Sequence, residues 1–122
     1  MTQYKMMVLS NPMPGREEEC DAWYQHKHLQ DIVALPGFVA GQRFHLAHPI
    51  EEPNPYRFMA VYDIESTDLL QTLGGLLTAA TNGSLAVSDA LDSGNAYAAI
   101  YTASGEKVTE LNSAAINARN KS

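Results

Sequence analysis

The chain holds a single cysteine, Cys20, so no disulfide can form within it, and a reducing setting, the cytoplasm, is expected. No apolar run approaches the roughly 20 residues a membrane helix needs. The N-terminus has no basic segment leading through an apolar stretch to a small-residue cleavage site, so export is not expected either. Basic residues are scarce: 8 Lys and Arg stand against 14 Asp and Glu, for a net charge of −6. They are scattered, whereas a phosphate backbone demands clustered cations, so nucleic acid is not an expected partner. Nor is there a Gly-rich phosphate loop, a nucleophile elbow or a Walker-type pattern, which leaves nucleotide chemistry without support. A small molecule or another protein chain remains.

What is present suits one globular domain. The 122 residues, 45% hydrophobic and 18% charged, suffice for a core without staples. Tyr4 to Ser10, "YKMMVLS", reads as a first strand, ended by the prolines and glycine of Asn11-Pro12-Met13-Pro14-Gly15. Glu17, Glu18 and Glu19 suit the positive end of a helix that runs to about Leu35 and stops at Pro36-Gly37. Phe38 to Ala47 reads as a second strand, with Phe38, Ala40, Phe44 and Leu46 on one face and Val39, Arg43 and His45 on the other. The proline-rich His48 to Pro55 reads as a loop, and Arg57 to Ile64 alternates as a third strand. Ser66-Thr67-Asp68 caps a second helix to about Ala80, which Gly74-Gly75 is expected to bend or break. Ser84 to Leu91 suits a short extra helix, and Asn95 to Ala103 a fourth strand with Tyr97, Ala99 and Tyr101 on one face. In the polar tail, residues 105–122, Val108, Leu111, Ala115 and Ala118 recur at a spacing that suits a docked helix.

The order strand, helix, strand, strand, helix, strand over residues 1–104 is the split β-α-β pattern of an α+β ferredoxin-like domain, a four-stranded antiparallel sheet with helices on one face. The strands, however, are apolar on both sides: Met6 and Val8 oppose Met7 and Leu9, while Met59 and Val61 oppose Phe58 and Tyr62. Two apolar faces need two covers, and the helices supply one. The second cover is expected to be another copy of the chain, giving a homodimer joined sheet to sheet.

The stretch "WYQHKHLQD", residues 23–31, concentrates chemistry. On a regular helix, Ala22, Leu29 and Val33 form the core stripe with Ile32 and His26 beside it, and Tyr24, His28 and Asp31 share an adjoining face. His26 and His28 lie about 200° apart at 100° per residue, so they cannot grip one metal together, and no metal site is expected. Histidine titrates near neutral pH, which suits proton transfer. In that reading His28 is the general acid or base, Asp31 orients its ring, and Tyr24 donates to a substrate oxygen. The plainer reading makes His28 a boundary histidine satisfied by Asp31 or a carbonyl, and Trp23 a core or interface aromatic. Polar residues on strands, Arg43, His45, Tyr62, Tyr97 and Tyr101, are the other binding candidates, because inward strand positions seldom carry polar groups without partners.

Asn11-Pro12-Met13-Pro14-Gly15-Arg16-Glu17, Trp23-Tyr24, His28-Leu29 with Asp31, Leu35-Pro36-Gly37-Phe38-Val39 and Gln42-Arg43-Phe44 together resemble the EthD-like branch of the dimeric α+β barrel superfamily. The similarity is densest over residues 4–47. It implies a ferredoxin-like protomer, a dimeric α+β barrel and a pocket between sheet and helices, as in polyketide cyclases, cofactor-free monooxygenases and small isomerases or lyases. The family's "WYxxxHLPD" histidine falls on His28, with Trp23, Tyr24 and Asp31 matching; its proline is Gln30 here. Three functions follow as expectations. The first is a cofactor-independent lyase, isomerase or cyclase acting on a mostly apolar, aromatic or ketide-like molecule, with Trp23, Arg43, His45 and the strand tyrosines binding it. The second is a dimeric binding protein without turnover, and the third a haem-, flavin- or cofactor-free monooxygenase.

Overall fold

The computed structural model describes residues 1–51 and 55–120. Strand β1, Thr2–Ser10, lies at the centre of a four-stranded sheet. It pairs antiparallel with β3, Phe58–Ser66, on one side and with β4, Tyr97–Thr102, on the other, and β2, Phe38–His45, completes the sheet beyond β3. The order is β2-β3-β1-β4, so β3 fills the gap between β1 and β2, as in the ferredoxin-like pattern.

Cross-strand pairing assigns the two faces. Met6 lies opposite Tyr62 and Ile100, and Ser10 opposite Phe58, on the side that the helices cover. There Met6, Ala60, Tyr62 and Ile64 are buried with Leu29 and Ile32 of the helical segment. On the other side Lys5, Met7 and Leu9 face Asp63, Val61 and Met59, with Tyr101, Ala99 and Tyr97 on β4 continuing the rows. Lys5 and Asp63 are ion-paired across this face at 2.5 Å.

The face expected for β2 is corrected by an irregularity between Phe38 and Ala40. The extra residue flips the alternation, a bulge's usual effect. Phe38 pairs with Ile64, and Gly41, Arg43 and His45 then pair with Tyr62, Ala60 and Phe58 on the helix side, whereas Ala40, Gln42 and Phe44 turn to the open side. Arg43 and Phe38 therefore share a face, contrary to strict alternation.

The first helical segment is three pieces in one rod: α1, Glu17–Trp23, a π turn, Tyr24–His28, and α2, Leu29–Val33. Acids fill its first turn as expected. It ends at Gly37, whose φ of +90° is open to glycine at little cost, and the Phe38 N–H donates to the Leu35 carbonyl at 3.1 Å. A methyl group on Gly37 would also come within 2.7 Å of Thr72 Cγ2.

Helix α3, Leu69–Thr81, is capped by Asp68, whose carboxylate accepts from the Gln71 N–H at 3.2 Å. It passes through Gly74-Gly75 unbroken, because packing through Leu76 and Ala79 outweighs the glycines' weak propensity. Residues 84–91 form no helix. They run as turns and irregular chain fastened beside the first loop, with Met13 N–H donating to the Ala90 carbonyl at 2.7 Å and Asp92 N–H to the Asn11 carbonyl at 3.0 Å. The tail does form a helix, α4, Ser113–Asn120, but its buried side chain is Ile116, while Val108 and Leu111 are exposed. The expected His48 to Pro55 loop includes residues 52–54, which lie outside the described residues.

Candidate functional site

The π turn decides which side chains enter the core. Its wider coil adds one residue to the turn, shown by the Leu29 N–H donating to the Tyr24 carbonyl five residues back. The buried positions are accordingly Cys20, Tyr24, His28, Leu29 and Ile32. Ala22 and His26, placed at or beside the core stripe by a regular wheel, are exposed instead. The extra step brings Leu29 round towards the side of Tyr24, while His28, four residues from Tyr24, stays on it. Gln30, where the EthD-like pattern has proline, donates from its side-chain amide to the Gln25 carbonyl at 3.1 Å, supporting the turn from outside.

His28 is 7% exposed. Its ring stacks on Trp23, with centroids 4.5 Å and planes 26° apart, and stands edge-on to Tyr24 at 4.9 Å. Loss of water lowers its pKa to about 4, against an opposing pull from the Asp31 carboxylate and with a further push from Lys27. The imidazole is thus neutral at pH 7. Its Nδ1 is buried and has no hydrogen-bond partner among the described residues.

Tyr62, fully buried on β3, is the second group of this kind: its hydroxyl also lacks a hydrogen bond of good geometry. The Tyr24 phenol lies near enough to act on it electrostatically, and burial drives both phenols above their ordinary pKa, so both stay protonated. Gly41 makes room for the Tyr62 ring, since a methyl there would sit 2.9 Å from its Cδ1.

Arg43 reaches the same cluster from β2. Its guanidinium lies over the Tyr24 ring at 4.8 Å and the Phe58 ring at 5.0 Å, and Nη2 donates to Asp21 Oδ1 at 2.9 Å. The Cys20 thiol is buried in the same neighbourhood; desolvation raises its pKa and the Arg43 charge opposes that rise.

Of the residues singled out in the sequence, five converge: Trp23, Tyr24, His28, Arg43 and Tyr62. Four do not. Asp31 forms an ion pair with Lys27 at 2.8 Å and makes no hydrogen bond to His28, so it acts on the ring only as a nearby charge. His45 shares the helix-side face but is exposed at the end of β2. Tyr97 and Tyr101 lie on the opposite, open face, 48% and 50% exposed, and cannot line a pocket beneath the helices. Asp21 and Phe58 join the cluster without having been singled out. The signal for Asp21 was available only once β2 was bulged, because the flip brings Arg43 beneath α1. Among the described residues, no group of three or more His, Cys, Asp or Glu is placed to hold a metal ion, and no helix is long and apolar enough to cross a membrane.

An imidazole held neutral, two protonated phenols and a guanidinium paired with a carboxylate, set among aromatic rings, can accept a proton and stabilise charge on an oxygen. No protein-family model matches the chain. No curated protein matches it either. Solved structures do. An ethyl tert-butyl ether degradation (EthD) family protein from Bacillus halodurans matches with 15% identity over 87% of this chain and 99% of its own, at a TM-score of 0.51. The haem degrader MhuD from Mycobacterium tuberculosis matches at 14% identity, over 86% and 99%, with a TM-score of 0.56. A dimeric ferredoxin-like protein of unknown function from Jannaschia sp. CCS1 matches at 12% identity, over 83% and 99%, with a TM-score of 0.58. The chain therefore has the ferredoxin-like α+β fold that these proteins share, an EthD family protein among them.

Proposed function

We propose that the chain is a cofactor-independent enzyme of the lyase, isomerase or cyclase type, acting on a small, mostly apolar, aromatic or ketide-like carbonyl compound. The observation that carries this reading is a pair of buried polar atoms without a hydrogen bond of good geometry among the described residues, His28 Nδ1 and the Tyr62 hydroxyl, the latter beside the Tyr24 phenol. Folded proteins leave few such groups, because each costs about 1–3 kcal/mol. Two of them in one aromatic cluster are the mark of a site built to bond a ligand's oxygen and proton.

In this reading neutral His28 takes a proton from the carbon beside the substrate carbonyl. The electron pair of the broken C–H bond forms a carbon–carbon double bond as the carbonyl π pair moves onto the oxygen, where the Tyr24 and Tyr62 phenols donate hydrogen bonds and Arg43 offsets the charge. The imidazolium, stabilised by that oxyanion and by the Asp31 charge, returns the proton at a different atom of the substrate. A buried imidazole is a weak base toward bulk water, but beside a developing anion its affinity for a proton rises.

The working unit is proposed to be a homodimer. Met7, Leu9, Met59 and Val61 lie on the open sheet face, with Val39 and Phe44 exposed beside or among them. An apolar face of this extent on a monomer is unusual, and the Jannaschia protein of the same fold is described as dimeric.

The fold shared with a haem degrader keeps a second reading in play, a monooxygenase. A visible spectrum after incubation with haem or flavin separates it: a shifted absorption band that His28→Ala abolishes would favour cofactor binding at this site. The main reading is tested by turnover of a panel of enolisable aryl ketones and keto acids by the wild type and by His28→Ala. Loss of a general acid–base predicts a fall of about 10²-fold or more with the fold intact. An unchanged rate overturns the role of His28, and binding without turnover by both proteins favours the non-catalytic alternative.

A further inference from the structure

The guanidinium of Arg43 is nearly covered, with 12% of its side chain exposed, yet among the described residues it makes one hydrogen bond, from Nη2 to Asp21 Oδ1 at 2.9 Å. The rings of Tyr24 and Phe58 that flank it offer no conventional acceptor. A guanidinium carries five N–H donors in a planar fork shaped to take both oxygens of a carboxylate, and a single contact leaves that fork mostly unused. Asp21 is its solvent-side cover, with 49% of the side chain exposed. On the inner side the same cation lies within electrostatic reach of both phenols, and the Tyr62 hydroxyl there, beside the Tyr24 phenol, makes no hydrogen bond of good geometry among the described residues.

Resting on the reading of this cluster as a substrate site, we propose that Arg43 receives the carboxylate of a small aryl or ketide-like acid, and that Asp21 sets its affinity by competing for the same cation. Among the carbonyl compounds of that reading, keto acids are then preferred to neutral ketones and esters. Asp21 is a specificity-determining residue: it holds the guanidinium in place and its charge opposes any second anion.

The test uses the full chain and its only tryptophan, Trp23, which stacks on His28 and so reports binding by fluorescence. Phenylacetate and its neutral counterpart phenylacetamide are titrated in parallel. The acid is expected to bind about tenfold or more tightly, as a charge-assisted pair implies. Asp21→Asn should tighten phenylacetate several-fold and leave phenylacetamide unchanged, and Arg43→Gln should erase the preference. Arg43→Lys keeps the charge without the fork and should show a reduced preference; it carries the test if Arg43→Gln does not fold. Equal quenching of Trp23 by acid and amide would leave the site standing and overturn the carboxylate. A preference for the acid that survives Arg43→Gln would overturn the role of Arg43. A Trp23 signal that responds to neither compound at millimolar concentration would overturn the site itself.

Discussion

The ring of His28 lies against that of Trp23, 4.5 Å between centroids, although only five residues separate them and a regular helix would turn them far apart. The π turn makes this contact possible. It adds one residue between two helical pieces, within Tyr24–His28.

Deleting His28 should therefore be tolerated by the fold. The deletion leaves Cys20, Tyr24, Leu29 and Ile32 spaced by four, four and three positions, the stripe of an ordinary α-helix. Thermal unfolding of the deletion variant should show a cooperative transition, with stability reduced by no more than about 2 kcal/mol. Failure to fold would mean that the π turn is required by the surrounding structure and is not an insertion into it.

Acid should weaken the protein through the same residue. The folded-state pKa of His28 is lowered from 6.5 to about 4, so the unfolded chain binds the proton first. The linked stability is fully present above pH 6.5, falls as the pH drops through this window, and is gone below about pH 4. It amounts to about 3 kcal/mol by the usual conversion. Urea unfolding measured across that range should show the decline, and His28→Ala should flatten it; a wild-type profile as flat as the variant's would contradict the burial of the ring.

Glycines at two positions should respond in opposite directions. At Gly41 an added methyl meets the Tyr62 ring at 2.9 Å and Val33 Cγ2 at 3.3 Å, so Gly41→Ala should cost about 1–3 kcal/mol by overpacking. At Gly74, on the exposed side of α3, nothing lies within 4 Å, and Gly74→Ala should gain about 0.5–1 kcal/mol of helix propensity. Melting temperatures of the two variants decide both.

For the homodimer, light scattering should give twice the monomer mass at micromolar concentration. Val61 lies in the middle of the open face, beside Met7 and Gln42, so Val61→Glu should yield a folded monomer. A wild type that stays monomeric, or a variant that stays dimeric, would contradict assembly through the sheet.

The order of elements was legible because each strand and helix carries its own punctuation: Pro36-Gly37 ends one helix and Asp68 begins another. The convergence of Trp23, Tyr24 and His28 was legible from their closeness along the chain. What could not be read was phase. A wheel at a constant 100° sends His26 and Ala22 inward because it cannot contain a π turn, and strict alternation misassigns Phe38 against Arg43 because it cannot contain a bulge. Both irregularities are single-residue insertions whose cost is met by distant packing, so no local propensity announces them. Asp21 escaped notice for the same reason: its partner Arg43 is 22 residues away and comes beneath it only after the bulge. Residues 84–91 and the tail carry helical spacing that competes with hydrogen bonds to the first loop and with the burial of Ile116.

Everything proposed for this site requires a His28 imidazole that is buried and neutral at pH 7. Its titration, followed by NMR of the ring in the intact protein with His28→Ala used to assign the signal, tests this directly. A midpoint near pH 4 is expected. A midpoint at the ordinary histidine value of 6.5 would place the ring in water and remove the basis for the site.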